Sequence, residues 1–80
     1  PPTTISMEID GGSATGTCFR NGRVVIRSQD PETFEVDQRT VTASPTGAWG
    51  SVLTYETGWS VAVHCANRKG DVVSLSLLAP

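Results

Sequence analysis

The chain has 80 residues, eight acidic and six basic side chains, a net charge of −2 and a hydrophobic content of 38%. A chain this short makes one small domain that buries only about 60% of its unfolded surface, and its composition excludes a disordered polymer. The interspersed charge excludes the footprint of a nucleic-acid or anionic-membrane binder, and no apolar run approaches the ~20 residues that span a bilayer.

The opening Pro-Pro-Thr-Thr carries no targeting segment. A proline start fits a complete small protein trimmed of its initiator Met; an excised domain or a secreted chain after cleavage are the other origins. From there, period-two runs broken by turn residues dominate, and no amphipathic helical pattern competes with them. Thr3 to Ile9 sets Ile5, Met7 and Ile9 on one face, and Asp10-Gly11-Gly12-Ser13 ends that strand. Ala14 to Arg20 and Arg23 to Ser28 flank Asn21-Gly22, which is expected to close a tight hairpin because both of its residues tolerate positive φ. A loop holding Asp30-Pro31 leads into a strand over Phe34 to Ser44. Two more strands follow, Ala48 to Tyr55 and Trp59 to Ala66, separated by Glu56-Thr57-Gly58. Asn67 to Asp71 turns the chain into Val72 to Leu78.

Seven short strands with these turn spacings predict an all-β sandwich of two packed sheets. Alternation puts Trp59, Val61, Val63 and Cys65 on the core face of one strand, with Trp49 and Leu75 contributed by others. Cys18 shares its strand's small-residue face with Ala14 and Gly16. Two inward cysteines suit a bridge worth roughly 4 kcal/mol in the chain-entropy model; two buried free thiols are the alternative.

At Val41-Thr42-Ala43-Ser44-Pro45-Thr46-Gly47-Ala48-Trp49-Gly50-Ser51 the chain resembles the T-A-D-x-x-G-x-W-S signature of bacterial immunoglobulin-like domains of the Big type. Gly58 to Ala66 is similar to their G-x-y-x-v-x-a-x-A strand, Asn67 to Ser74 to the turn after it, and Ala14 to Thr17 to their opening strand. The resemblance implies a seven-stranded immunoglobulin-like β-sandwich over residues 1–80. It also implies a spacer, adhesive or decoration role on a bacterial surface protein or on the tail or capsid of a bacterial virus. Asn67 replaces the family's usual acidic residue and Asn21-Gly22 its glycine-proline-rich second strand, so no calcium site carries over.

Catalytic chemistry finds little support. His64, the only histidine, falls on the solvent parity of its strand, opposite to Cys65. Glu32, Glu35 and Asp37 read as a solvated charged face rather than an acid-base pair. Two cysteines and one histidine fall short of a tetrahedral metal site. No catalytic residue, metal or cofactor is therefore expected. Asn21-Gly22-Arg23 and Lys69-Gly70-Asp71 resemble receptor-binding tripeptides, yet both are sound turn chemistry without a receptor. A glycan platform built from Trp49, Tyr55 and Trp59 would strip a small core of its large side chains, so these aromatics are expected inside, with Phe19 and Phe34. The expected function is a non-enzymatic structural or binding module in a larger assembly, first a decoration-type subunit of a phage particle, otherwise an adhesive or spacer module of a bacterial surface or secreted protein, with a glycan-binding β-sandwich module as the second alternative. The localisation is then the virion or the cell exterior, and the partner a protein, with no nucleic acid and no membrane insertion. Arg20, Asn21, Arg23, Arg68 and Lys69, at turns and strand edges, are the candidate partner-binding residues.

Overall fold

A computed structural model describes residues 5–80. Thr3 and Thr4, assigned to the first strand from the alternation, lie outside the described residues. The strands are β1 (Ser6–Asp10), β2 (Ser13–Thr17), β3 (Arg23–Gln29), β4 (Val36–Thr42), β5 (Ala48–Val52), β6 (Ser60–Ala66) and β7 (Val72–Leu78). Among the described residues they form two antiparallel sheets, one ordered β1-β2-β5 and the other β4-β3-β6-β7, in a seven-stranded β-sandwich.

Alternation sets the core. Met7, Ala14 and Trp49 point inward from the first sheet; Val24, Ile26, Val61, Val63 and Cys65 meet them from the second. Trp59, just ahead of β6, is buried in the same cluster, while Leu75 of β7 is only half-buried at its margin. Leu75 was expected in the core. It lies on an edge strand, where the covering sheet gives less shelter.

A disulfide joins Cys18, one residue past β2, to Cys65 in β6, with Cα atoms 5.7 Å apart. It staples one sheet to the other and removes the free-thiol alternative. The Phe19 N–H points at the Cys65 sulfur at 3.2 Å.

The structure moves the first hairpin. Gly11 and Gly12 take φ of 59° and 82°, and Asp10 faces Ser13 in the register, so the two-residue turn joins β1 to β2. The stretch Asn21-Gly22 does not close a hairpin, because β2 and β3 belong to different sheets. Asn21 adopts a φ of 55°, but Gly22 stays out of the left-handed region. Its N–H bonds to the Phe19 carbonyl at 2.8 Å, and its carbonyl accepts the Ala43 N–H at 2.8 Å. The segment is a corner between sheets.

That corner packs on a second one, Ala43 to Gly47. Ser44 Oγ accepts the N–H groups of Thr46 and Ala48, each at 3.2 Å, and Gly47 donates back to the Ser44 carbonyl at 2.9 Å. Gly47 has a φ of 91°, and a Cβ there would come within 2.6 Å of the Cys18 carbonyl oxygen. Trp49 enters β5 two residues later and is 6% exposed. The turn therefore delivers the indole to the interior.

Candidate interaction surfaces

Turns gather at the two ends of the strands, and the charges separate with them. One end holds the β2–β3 corner and the β6–β7 turn. There Arg20, Asn21, Asn67, Arg68 and Lys69 line a basin of roughly 320 Å³. Four of the five residues expected to bind a partner thus meet in space; Arg23, at the head of β3, stands outside the lining.

The floor of this basin is fixed by Asn67. Its Oδ1 accepts the N–H groups of Lys69 and Asp71, each at 3.0 Å, and its Nδ2 donates to Asp71 Oδ2 at 3.0 Å. Asparagine side chains make such turns because they mimic a backbone carbonyl two residues on. Gly70 completes the turn with a φ of 91°. The tripeptide Lys69-Gly70-Asp71 is therefore tied into the turn by its own backbone.

The opposite end carries Asp30, Glu32, Glu35 and Glu56. The β3–β4 connection there is a locked hairpin loop. Asp30 Oδ1 accepts the N–H of Glu32 at 2.8 Å and of Thr33 at 3.4 Å. The Asp30 carbonyl accepts the Phe34 N–H at 2.9 Å, and the Glu35 carbonyl accepts the Asp30 N–H at 2.9 Å. The hydrogen bond from Glu32 is the main reason the Asp30 carboxyl sits below its ordinary range.

This loop overturns the placement of Phe34. The expected strand over Phe34 to Ser44 begins only at Val36, and Phe34 is 69% exposed with a φ of 64°. A bulky side chain in the left-handed region costs about 1–2 kcal/mol. Two backbone hydrogen bonds and two more to the Asp30 carboxylate hold it there, with Glu32 and Glu35 exposed on either side.

Asp37 also departs from expectation. Its Oδ2 accepts the Thr54 N–H at 2.8 Å and pairs with Arg39 Nε at 3.0 Å. Those contacts, the Thr54 N–H first, hold its carboxyl below the ordinary 3.8 against the opposing effect of partial burial. Ser28, fully buried in β3, donates to the Thr54 carbonyl at 2.6 Å. Together Ser28 and Asp37 bind the strand leaving β5 to the second sheet, so Asp37 is a fastening rather than part of a solvated face.

Of the other aromatics expected inside, the two tryptophans are buried, while Phe19 and Tyr55 are half-buried at the core's margin. Trp49 and Trp59 are each 6% exposed, so they present no flat platform for a sugar. Tyr55 lies beyond the end of β5, half-buried, and its hydroxyl accepts the Gly12 N–H at 3.1 Å. His64 is exposed on β6 with Nδ1 2.7 Å from Ser74 Oγ. Among the described residues no group of three or more His, Cys, Asp or Glu side chains is placed to hold a metal ion, and no helix is long and apolar enough to cross a membrane.

Phe34 was missed as a surface residue because its local sequence gives no warning. Glycine or asparagine at the left-handed position of such a loop would have announced the turn. A phenylalanine there reads as the first apolar residue of a strand. Comparison with family models, curated proteins and solved structures finds no match to the chain.

Proposed function

We propose that this chain is a non-enzymatic structural or binding module that attaches to a larger surface through the loop at 30–35. The observation that carries this reading is Phe34, held exposed in a costly backbone conformation by a loop that its own backbone and the Asp30 carboxylate close. Strain retained at an exposed aromatic is a hallmark of contact sites, since stability alone would favour glycine there. The acidic flanks Glu32 and Glu35 suit a protein partner with an apolar pocket rimmed by lysine or arginine.

The fold is also that of many spacer and adhesive modules, which supports a mechanical or docking role over a chemical one. The disulfide supports a setting outside the reducing cytoplasm. That favours a bacterial surface or secreted protein of the Big type; a decoration subunit on released virus particles meets the same condition.

The test is co-sedimentation of labelled protein with intact bacterial cells and with purified bacteriophage particles, comparing wild type and Phe34→Gly. Wild type is expected to pellet with one of the two, and the variant to remain in the supernatant while keeping its fold. Equal pelleting of both proteins would overturn the role of Phe34, and no pelleting with either would overturn the reading as a whole.

A further inference from the structure

The two sides of the sandwich are finished differently. On one side β4 and β5 pack against each other across the sheets. On the other, the edges β1 and β7 border a groove of roughly 470 Å³ lined by Met7, Ile9, Leu77 and Leu78 among others. Among the described residues six large apolar side chains are exposed, and three of them, Val72, Leu77 and Leu78, belong to β7.

An edge strand offers a row of unpaired backbone groups, and natural sheets guard such edges with charge, proline or glycine. The edge β4 carries Asp37 and Arg39, and β1 carries Glu8 and Asp10. The strand β7 reads Val-Val-Ser-Leu-Ser-Leu-Leu and holds no charge, proline or glycine over its seven residues. Left alone, such a segment is an aggregation hazard.

Its sequence also has a symmetry that a random apolar edge would lack. Read from either end about Leu75, the pattern is two aliphatics, a serine, the central leucine, a serine and two aliphatics. An antiparallel partner of the same sequence, centred on Leu75, would therefore pair like with like. Val72 would face Leu78 of the second copy, Val73 its Leu77, Ser74 its Ser76, and Leu75 its own counterpart. On the face carrying Val73, Leu75 and Leu77 only aliphatics meet, and on the other face the serines meet each other between two aliphatic pairs.

We propose that β7 is a homodimerisation edge, at which two copies pair antiparallel about Leu75 to form one continuous eight-stranded sheet. A two-fold interface requires a self-complementary patch, and this strand supplies one. Seven paired residues exchange about six main-chain hydrogen bonds, with the ladder's alternating pairs each giving two. The register also places Val73 of one copy beside Leu77 of the other, where it extends into the groove against Met7 and Ile9. The uncharged strand brings no repulsion to the contact. The proposal is independent of the attachment loop: β4 lies at the far edge of the same sheet, so the dimer leaves both Phe34 tips free and points them in opposite directions.

Sedimentation velocity over a concentration series, at low and high salt, tests this on the whole chain. A monomer–dimer equilibrium that changes little with salt is expected. The variant Val72→Lys/Leu78→Lys sets like charges opposite each other at both ends of the pairing and is expected to weaken the dimer about tenfold or more. The variant Val72→Glu/Leu78→Lys sets opposite charges there and is expected to restore association. Both positions are exposed, at 60% and 72%, so circular dichroism should show an unchanged fold in either variant. A wild-type chain that stays monomeric up to about 1 mM, where affinity is already marginal, would overturn the proposal. So would open-ended polymers in place of a dimer, or equal behaviour of the lysine–lysine and glutamate–lysine variants.

Discussion

The indole of Trp49 occupies the space that a side chain at Gly16 would need. The two residues face each other in the β2–β5 register, and a Cβ on Gly16 would collide with the Ser6 carbonyl and stand 2.9 Å from Trp49 Cζ2. A glycine opposite a tryptophan lets the large ring lie down across the sheet and close the core from its three-stranded side.

The Trp49 peg has a cost. Among the described residues its buried Nε1 has no hydrogen-bond acceptor, and a buried unpaired donor forfeits about 1–3 kcal/mol. Trp49→Phe, which removes that donor with part of the ring, is therefore expected to lose only about 1–2 kcal/mol. Trp49→Ala should lose about 3–5 kcal/mol, the usual range for truncating a buried aromatic. Urea denaturation separates the two, and equal losses would mean the indole N–H contributes to stability.

Phe34→Gly should stabilise the isolated protein. The substitution relieves a left-handed bulky residue whose side chain is 69% exposed, so little burial is lost. A gain of about 1 kcal/mol, or roughly 4–8 °C in Tm for a domain of this size, is expected by thermal unfolding. A fall in Tm would show that the ring packs on something that its exposure hides.

Asp37 makes stability depend on acid pH. Its folded pKa lies below the ordinary 3.8, so its contribution is present above 3.8 and is lost as pH falls through that value toward the folded one. Urea midpoints measured through this window should drop more steeply for wild type than for Asp37→Asn. At neutral pH the variant is expected to be weaker by about 1 kcal/mol through its poorer bond to the Thr54 N–H. Parallel pH profiles for the two proteins would remove Asp37 from the account.

Reduction should be costly. The Cys18–Cys65 bridge closes a sequence separation of 47 residues, worth about 4 kcal/mol by loop-closure entropy. A small domain has only about 5–15 kcal/mol in total. Denaturation with and without a reductant should show this loss, and overlapping curves would place the stabilisation elsewhere.

Alternation along β6 made the inward set Trp59, Val61, Val63 and Cys65 legible without coordinates, because side-chain parity is a local property of an extended chain. The same parity put Cys18 inside, and two inward cysteines made a bridge a natural reading. Turns were less legible. Asn21-Gly22 has the chemistry of a hairpin, and Asn21 does adopt positive φ, but the disulfide at Cys18 and the packing of Gly22 beneath the Ala66 carbonyl pull the chain to the other sheet. That choice is made by distant residues. Gly11-Gly12 makes the true hairpin with equally permissive residues. Of the candidate surfaces, the basin at Arg20, Asn21, Arg68 and Lys69 was foreseeable because turns at strand ends cluster together. The acidic tip was not, since Phe34 breaks the local rule that would have marked it.

The staple between the sheets also sets how the molecule behaves under tension. Strands β3, β4 and β5 lie wholly within the covalent loop from Cys18 to Cys65, whereas β1, β2 and β7 lie outside it. Pulled from its two termini, the chain can pay out only the residues beyond the bridge. Peeling would begin at β1 and β7, and the force would then bear on the sulfur–sulfur bond while the central strands stayed slack. Such a module yields a short, fixed length and then holds as an inextensible link.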